Sequence, residues 1–263
     1  MEWRPSPEHT NVRSLLDATP TSGSVTLERR GPILIVAIEN RERRNAIDAA
    51  VADALAAAWR TLDREDELRA GVITGAGGTF CSGLDLVVFA AGGRIDDRFL
   101  RQPPRKPLVA AVEGYALAGG LELALCADLI VAAESAQLGL PEVKHGLVAS
   151  GGGVMRLATR IPYHLALELA LTGASIGAVR AAELGLVNSV AADGHALDAA
   201  LELAQTVAAN APLAVEASKR LAREAPMEWT RQRSIAEPVL ASADALEGAR
   251  AFTERRRPRF SGR

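Results

Sequence analysis

Residues 108–127 read LVAAVEGYALAGGLELALCA, and this order of residue types predicts a strand, a glycine-rich loop and a helix. Leu108 to Val112 is a short apolar run of the kind that forms a buried strand, and Gly119 to Ala127 has helical spacing. Gly119 and Gly120 fall at the predicted start of the helix. Free N–H groups and the positive end of a helix dipole at such a start stabilise a developing oxyanion. The stretch therefore indicates an α/β fold with an anion-stabilising loop.

Short strands and helices alternate on both sides of this stretch. Val25 to Arg29 and Ile33 to Ile38 are β-rich runs on either side of a Gly-Pro turn, so they predict a hairpin. Asp48 is a good N-cap for a helix with one apolar stripe. The stripe consists of Val51, Leu55, Ala58, Trp59 and Leu62. Further buried strands are predicted at Gly71 to Thr74 and Leu129 to Ala132.

The pattern beyond Pro162 is almost wholly helical, and near residue 200 the composition shifts from α/β to all-α. Helical segments are expected at Tyr163 to Leu171, Ala178 to Leu184, His195 to Asn210, Pro212 to Glu224 and Ala243 to Arg256. Residues 1–23 are polar and aperiodic and hold three prolines, so we expect a flexible N-terminal arm. We therefore divide the chain into this arm, an α/β core over residues 24–200 and a C-terminal helical subdomain over residues 201–263.

Composition excludes several functional classes. The 263 residues carry a net charge of −2, which argues against a nucleic-acid-binding protein. Two cysteines in so long a chain do not form a disulfide framework and are typical of a reducing compartment. Neither a signal peptide nor an uncharged apolar run of membrane-spanning length is present in the sequence. We expect a soluble cytoplasmic protein with no membrane partner.

Two more glycine-rich loops, Gly75 to Asp85 and Gly146 to Gly153, also follow apolar runs. Glycine lets backbone N–H groups approach a ligand closely. None of the three loops matches a nucleotide-triphosphate or dinucleotide fingerprint, and none contains a G-x-S-x-G nucleophile elbow, since Val148 stands where the first glycine before Ser150 would be. The four histidines lack zinc-ligand spacing, so no metal site is predicted.

Glu122 lies in the first turn of the predicted helix, among Leu and Ala residues. It is either a capping carboxylate favoured by the helix dipole, or an acid or base whose apolar neighbours raise its pKa towards neutrality. Glu142 follows Leu140-Pro141 at an expected strand end, where a lone carboxylate is more often solvated. Two carboxylates beside a backbone oxyanion hole would form an acid/base site, but the sequence does not show that they converge.

Four stretches in this order resemble the crotonase, or enoyl-CoA hydratase, superfamily. They are Arg41 to Ile47, Phe80 to Leu86, Ala111 to Ala124 with Cys126 and Asp128, and Leu140 to Glu142 leading to Gly152-Gly153 and Arg156-Leu157. Each glycine loop alone is weak, whereas the ordered combination is highly specific and, with supporting matches, spans about residues 24 to 260.

The resemblance implies a crotonase-type spiral of ββα units with a C-terminal helical trimerisation region, assembled as a homotrimer or a dimer of trimers. It implies an oxyanion hole made by the backbone N–H groups of Leu84 and Gly119, which would bind an acyl-CoA thioester carbonyl. Because both acidic positions hold glutamate, Glu122 and Glu142, it implies an enoyl-CoA hydratase, a hydro-lyase that needs no cofactor besides the CoA carried by its substrate.

The resemblance also assigns residues to substrate and CoA binding. They are Arg44, Asn45, Ala46, Ser82, Gly83, Asp85, Leu86, Gly120, Ser150, Phe252 and Arg256. Arginines beside Asn45 and near the C-terminus would supply local positive charge for a polyanionic ligand on a chain of net charge −2. The alternative is an ordinary solvated basic face.

Two departures from the family pattern stand out. Glu42 replaces a common proline, and Ala149-Ser150 replaces the usual Pro-Gly, which normally helps to hold the nucleophilic water. Three alternatives stay open: an enoyl-CoA isomerase, a carnitinyl-type dehydratase, and a non-catalytic CoA-binding assembly subunit.

Overall fold

The structure is a computed structural model that describes residues 22–85, 95–223, 234, 237–238, 241–245, 247, 251, 254, 256 and 258–263. Its strands are β1 Ser24–Arg30, β2 Ile33–Glu39, β3 Ala70–Gly75, β4 Leu108–Val112, β5 Tyr115–Leu117, β6 Leu129–Ala133, β7 Gln137–Gly139, β8 Ser175–Gly177 and β9 Ser189–Ala191. Its helices are α1 Ala49–Arg64, α2 Arg98–Arg101, α3 Gly119–Ala124, α4 Gly153–Arg160, α5 Tyr163–Thr172, α6 Ala178–Glu183, α7 Ala196–Ala208 and α8 Pro212–Arg223. Short 3₁₀ turns cover Arg41–Arg43 and Pro141–His145.

A six-stranded sheet forms the framework, with strand order β1-β2-β3-β4-β6-β9. The β1–β2 hairpin is antiparallel and all other pairs in this sheet are parallel. A second sheet, β5-β7-β8, has three short strands. The predicted hairpin and the three predicted core strands are confirmed. The sequence missed β5, β8 and β9, because three-residue strands carry too few side chains to show a period of two.

Both faces of the main sheet are buried, as a mostly parallel sheet requires. Along β2, Leu34 and Val36 face the larger core cluster, which contains the apolar stripe of α1, whereas Ile33 and Ile35 face the other side. The second side is covered by small residues of α7, namely Ala200, Ala204 and Ala208. Spacing of four residues places these alanines on one face of the helix, so it packs closely against the sheet.

Local sequence explains where the main helices begin and end. The Asp48 side chain accepts a hydrogen bond from the Val51 amide at 2.9 Å, which confirms the predicted N-cap of α1. Helix α5 ends at Gly173 in the left-handed conformation that glycine adopts without steric cost. Helix α3 ends at Ala124, three residues before the predicted end. Cys81 and Cys126 are free and buried, in keeping with the absence of a disulfide framework.

The C-terminal part of the core extends further than its composition suggests. The expected boundary at residue 200 falls inside α7, and Leu201 and Ala204 beyond it belong to the same core cluster as Val109 of β4. The division at residue 200 therefore stays a prediction. The expected N-terminal arm lies outside the described residues, except for Ser22 and Gly23, and the last expected helix lies largely outside them.

Candidate active site

The turn from β5 into α3 leaves the Gly119 amide, at the start of the helix, without an acceptor among the described residues. Ala118, the N-cap, has φ 50° and ψ −126°, a region that non-glycine residues rarely adopt, and its amide donates to Gly139 O at 2.9 Å. At Gly120, the next residue but one, the backbone passes very close to Cys81. A Cβ at this position would lie 2.1 Å from the Cys81 carbonyl oxygen. Only glycine fits at that position.

A second backbone segment, residues 81–85, runs beside this turn. The Cys81 amide donates to Tyr115 O, and the Asp85 amide donates to Ile47 O at 2.9 Å, so both ends of the segment are anchored. Gly83 between them has φ 117°, which reverses the chain just before Leu84. These contacts place the Leu84 amide beside the start of α3.

The two amides lie side by side. A Cβ on Gly119 would lie 3.2 Å from Leu84 N, and a Cβ on Gly83 would lie 3.3 Å from Gly119 N. Neither amide donates a hydrogen bond to any acceptor within the described part of the chain. Buried donors are normally paired, so two neighbouring unpaired N–H groups form a pocket suited to one oxygen that carries negative charge.

Glu122 lies one turn into α3 and is only 3% exposed. The Gly153 amide donates to its Oε1 at 2.9 Å, and the Gly151 amide also bonds the carboxylate. Burial raises the pKa of Glu122 to about 7, and the charge of Glu142 adds to that rise, while the two amides and Arg156 oppose it. Of the two interpretations of Glu122, this environment favours the acid or base, because its side chain does not cap its own helix α3 and instead accepts from the first amide of α4.

Glu142 lies in the 3₁₀ turn Pro141–His145, which follows the end of β7 at Gly139, close to the strand end that the sequence predicted. Its Oε2 is buried and accepts no hydrogen bond from any described residue. Burial raises its pKa, against the opposing effects of its own backbone amide and of His145. A buried carboxylate oxygen without a partner is costly and is typical of a group that meets a ligand.

The structure thus brings the two glutamates into electrostatic contact, which the sequence alone could not show. Burial raises the pKa of both carboxyls, and the charge of Glu142 makes ionisation of Glu122 harder still. Near neutral pH one of them can keep a proton while the other is ionised. The pair can therefore accept a proton from one atom of a ligand and give a proton to another.

Several residues assigned to substrate and CoA binding also hold the backbone around the site. Asn45 is fully buried at φ 57°, and its side-chain amide donates to the carbonyl oxygens of Ala76 and Thr79. Asp85 forms an ion pair with Arg43, and Ser82 Oγ donates to Arg43 O at 3.1 Å. The side chains of Asn45 and Asp85 are therefore engaged by the protein, and their contact with CoA stays a prediction.

The remaining assigned residues are less uniform. Arg44 is exposed and its backbone has the left-handed conformation. Ala46 is buried, and Ser150 is exposed next to the loop formed by residues 151–153. Arg256 forms ion pairs with Glu247 and Glu254, close to it in the chain. Leu86 and Phe252 lie outside the described residues.

The sequence missed the role of the loop that binds Glu122 and the cation behind it. Sequence alone places Gly151 and Gly153 in a glycine-rich loop and Arg156 in a family motif, without linking any of them to Glu122. A signal was available, because three successive glycines followed three residues later by arginine place a cation one turn inside the helix that the loop opens.

Two kinds of feature are absent from the described residues. No helix in that part of the chain is long and apolar enough to cross a membrane. Within the same residues, no cluster of histidine, cysteine, aspartate and glutamate side chains has the arrangement needed to hold a metal ion. The expectation that the site works without a cofactor stays a prediction.

Comparison with known proteins gives consistent results. The sequence model of the family described as enoyl-CoA hydratase/isomerase matches residues 28–263. The enoyl-CoA hydratase EchA19 of Mycobacterium tuberculosis is 42% identical over 265 residues, covering 94% of this chain and all of the relative. A carnitinyl-CoA dehydratase of Salmonella agona is 41% identical over 261 residues, covering 92% of this chain and all of the relative. The crystal structure of an enoyl-CoA hydratase from Mycobacterium tuberculosis superimposes with a TM-score of 0.89 at 52% identity, covering 91% of this chain and 99% of that one.

Proposed function

This chain belongs to the enoyl-CoA hydratase/isomerase family, and we propose that it adds water reversibly across the 2,3 double bond of a 2-enoyl-CoA thioester. One observation carries the proposal. Buried Glu122 and half-buried Glu142, whose Oε2 is buried, are in electrostatic contact near two amides at the start of α3 that have no acceptor among the described residues. Those are the groups that the reaction needs, and CoA enters as part of the substrate.

The amides of Leu84 and Gly119 act on the thioester oxygen. As the water oxygen bonds to C3, the electron pair of the double bond moves towards C2 and the carbonyl, so negative charge accumulates on that oxygen. Donors already in place stabilise this charge without reorganising, and each contributes about 3 kcal/mol in comparable oxyanion holes. Both amides come from the backbone, so no side-chain motion is needed to form the hole.

The two glutamates move the protons. The ionised carboxylate takes a proton from water as the C3–O bond forms, and the protonated carboxyl delivers its proton to C2. We assign water activation mainly to Glu122, which the Gly151 and Gly153 amides hold in place, with Glu142 as the partner that exchanges a proton with C2. Net transfer leaves the pair with one proton, now on Glu122, and return of that proton to Glu142 through solvent restores the starting state.

Hydration of crotonyl-CoA, followed by loss of the conjugated thioester absorbance, tests this proposal. Wild type should turn over, and Glu122→Gln and Glu142→Gln should each lower kcat at least about 100-fold, the range for losing general acid or base catalysis. Glu134→Gln, at an exposed position beyond β6, is the matched control and should keep wild-type activity. A wild type that is inactive on a panel of 2-enoyl-CoAs would refute the hydratase, and active glutamate variants would refute the site assignment.

A carnitinyl-type dehydratase is the second candidate, favoured by the carnitinyl-CoA dehydratase relative at 41% identity. The same glutamates and amides would remove water from a 3-hydroxyacyl-CoA with a polar acyl group. Relative kcat/KM for crotonyl-CoA and for a trimethylammonium-bearing enoyl-CoA separates the two. An isomerase would move the double bond without adding water, and a non-catalytic subunit would bind acyl-CoA without turnover.

We also propose a homotrimer or a dimer of trimers. Three large apolar side chains on α4 and α5, those of Met155, Tyr163 and Leu171, are 72%, 60% and 71% exposed, which supports self-association. Light scattering should give three or six times the 27.7 kDa mass of the chain. A monomer would refute the assembly without affecting the chemistry.

A further inference from the structure

Arg156 ties the Glu122-binding loop to a neighbouring helix. It lies in the first turn of α4, and its guanidinium donates two hydrogen bonds to backbone carbonyls on different segments. Nη1 donates to Gly151 O at 2.9 Å, and Nη2 donates to Leu100 O at 2.6 Å. A planar guanidinium can hold two carbonyls in fixed relative positions, which a flexible ammonium cannot do equally well.

The loop held in this way is the one whose amides bind Glu122. Gly152 has φ 101°, and a Cβ there would lie 2.6 Å from Arg156 Nη1. Any larger residue at position 152 would therefore collide with the Arg156 guanidinium. A Cβ on Gly151 would lie 2.7 Å from Glu122 Oε2. The loop is therefore packed between the guanidinium on one side and the carboxylate on the other.

Arg156 also acts on Glu122 through its charge. Three elements bring charged or donor groups towards Glu122: the 3₁₀ turn brings Glu142, the loop brings the Gly151 and Gly153 amides, and α4 brings Arg156. Glu142 raises the pKa of Glu122, whereas the amides and Arg156 lower it. Because Arg156 both holds the amides and supplies charge, its loss would remove two effects of the same sign.

We propose that Arg156 is a positioning residue for the reaction, which holds the 151–153 loop so that its amides keep Glu122 oriented towards the substrate. The inference rests on the proposed function. It assigns to Arg156 an effect on turnover and on proton transfer, and no contact with the substrate.

Arg160 provides a matched control on the same helix. It lies one turn further along α4, is also half-buried, and donates to Ala127 O at 3.4 Å, away from the glycine loop. Removing Arg160 costs a buried cation and a carbonyl contact, as removing Arg156 does, but leaves the loop in place. A purely structural role predicts similar consequences for both arginines, whereas a positioning role does not.

The test compares Arg156→Met, Arg156→Lys and Arg160→Met in the crotonyl-CoA assay over pH 5 to 9. For Arg156→Met we expect kcat to fall at least about 10-fold with KM within about 3-fold, since small misplacement of a reacting group is costly. In the profile of kcat against pH, the limb that reports ionisation of Glu122 should move to higher pH. Arg156→Lys, which keeps the charge but not the two-carbonyl bridge, should show a smaller pH displacement with kcat still reduced. Arg160→Met should show neither effect.

The proposal is overturned if Arg156→Met keeps wild-type kcat and pH limbs, or if Arg160→Met alters both as much. A ¹³C NMR titration of the Glu122 carboxyl, assigned with Glu122→Gln, needs no turnover. The midpoint of this titration should move to higher pH in Arg156→Met. An unchanged midpoint overturns the proposal even if wild type fails to hydrate any enoyl-CoA. Circular dichroism verifies folding, and Arg156→Lys takes the place of Arg156→Met in the NMR comparison if the latter does not fold.

Discussion

Glu122 should make the protein less stable as pH rises, and the effect can be worked from its environment. Its pKa is raised from 4.5 to about 7 in the folded chain, chiefly by burial. A carboxyl with a raised folded-state pKa favours the folded state most at low pH, and the advantage is lost as pH rises through the folded pKa. At about 1.4 kcal/mol per pKa unit the total is roughly 3.5 kcal/mol, of which about 2.5 kcal/mol falls between pH 5 and 8.

The variant Glu122→Gln removes this ionisation and keeps an oxygen that can accept from the Gly153 amide. We expect wild type to lose about 2.5 kcal/mol of unfolding free energy relative to the variant between pH 5 and 8. Urea unfolding at pH 5, 6, 7 and 8 measures the difference, at one fixed protein concentration because assembly shifts apparent stability.

Glu202→Gln, at an exposed position of α7, is the control and should follow wild type. Comparing variant with wild type at each pH separates Glu122 from other groups that titrate in the same window. Parallel curves for wild type and Glu122→Gln would refute the reasoning, since they would mean that folding does not suppress ionisation of this carboxyl.

Three further predictions concern the backbone of the site. Ala118→Gly should raise the unfolding free energy by about 1 kcal/mol in thermal melts, because φ 50° with ψ −126° suits glycine; an unchanged or lower midpoint would contradict this. Gly120→Ala should cost about 3 kcal/mol and most of the hydratase activity, because its Cβ would meet the Cys81 carbonyl oxygen at 2.1 Å; wild-type melting and turnover would show that the turn can yield. Asn45→Ala should cost about 3 kcal/mol in urea unfolding by leaving buried backbone groups without its side-chain partner, and a loss under about 1 kcal/mol would mean that water replaces it.

Regular elements were predictable where side chains repeat over several turns or several pleats. The stripe of α1 and the N-cap at Asp48 are local features, and the structure confirms both. The 3₁₀ turn Pro141–His145 after β7 was not predictable, because five residues after a proline show no periodicity that separates a 3₁₀ turn from a loop. Strand β9 was missed for the same reason, although it forms the edge of the main sheet.

Candidate site residues were recognisable by type, and the family pattern supplied their order. The sequence alone determined an α/β chain with glycine loops at strand ends, with Glu122 in the first turn of a helix, because these depend on residues close together in the chain. Only the tertiary structure decided that Glu142 approaches Glu122 and that Leu84 lies beside Gly119. It also decided that Arg156 bridges Gly151 and Leu100. Those encounters join segments 5 to 56 residues apart, and their electrostatic consequences follow from burial, which no local pattern specifies.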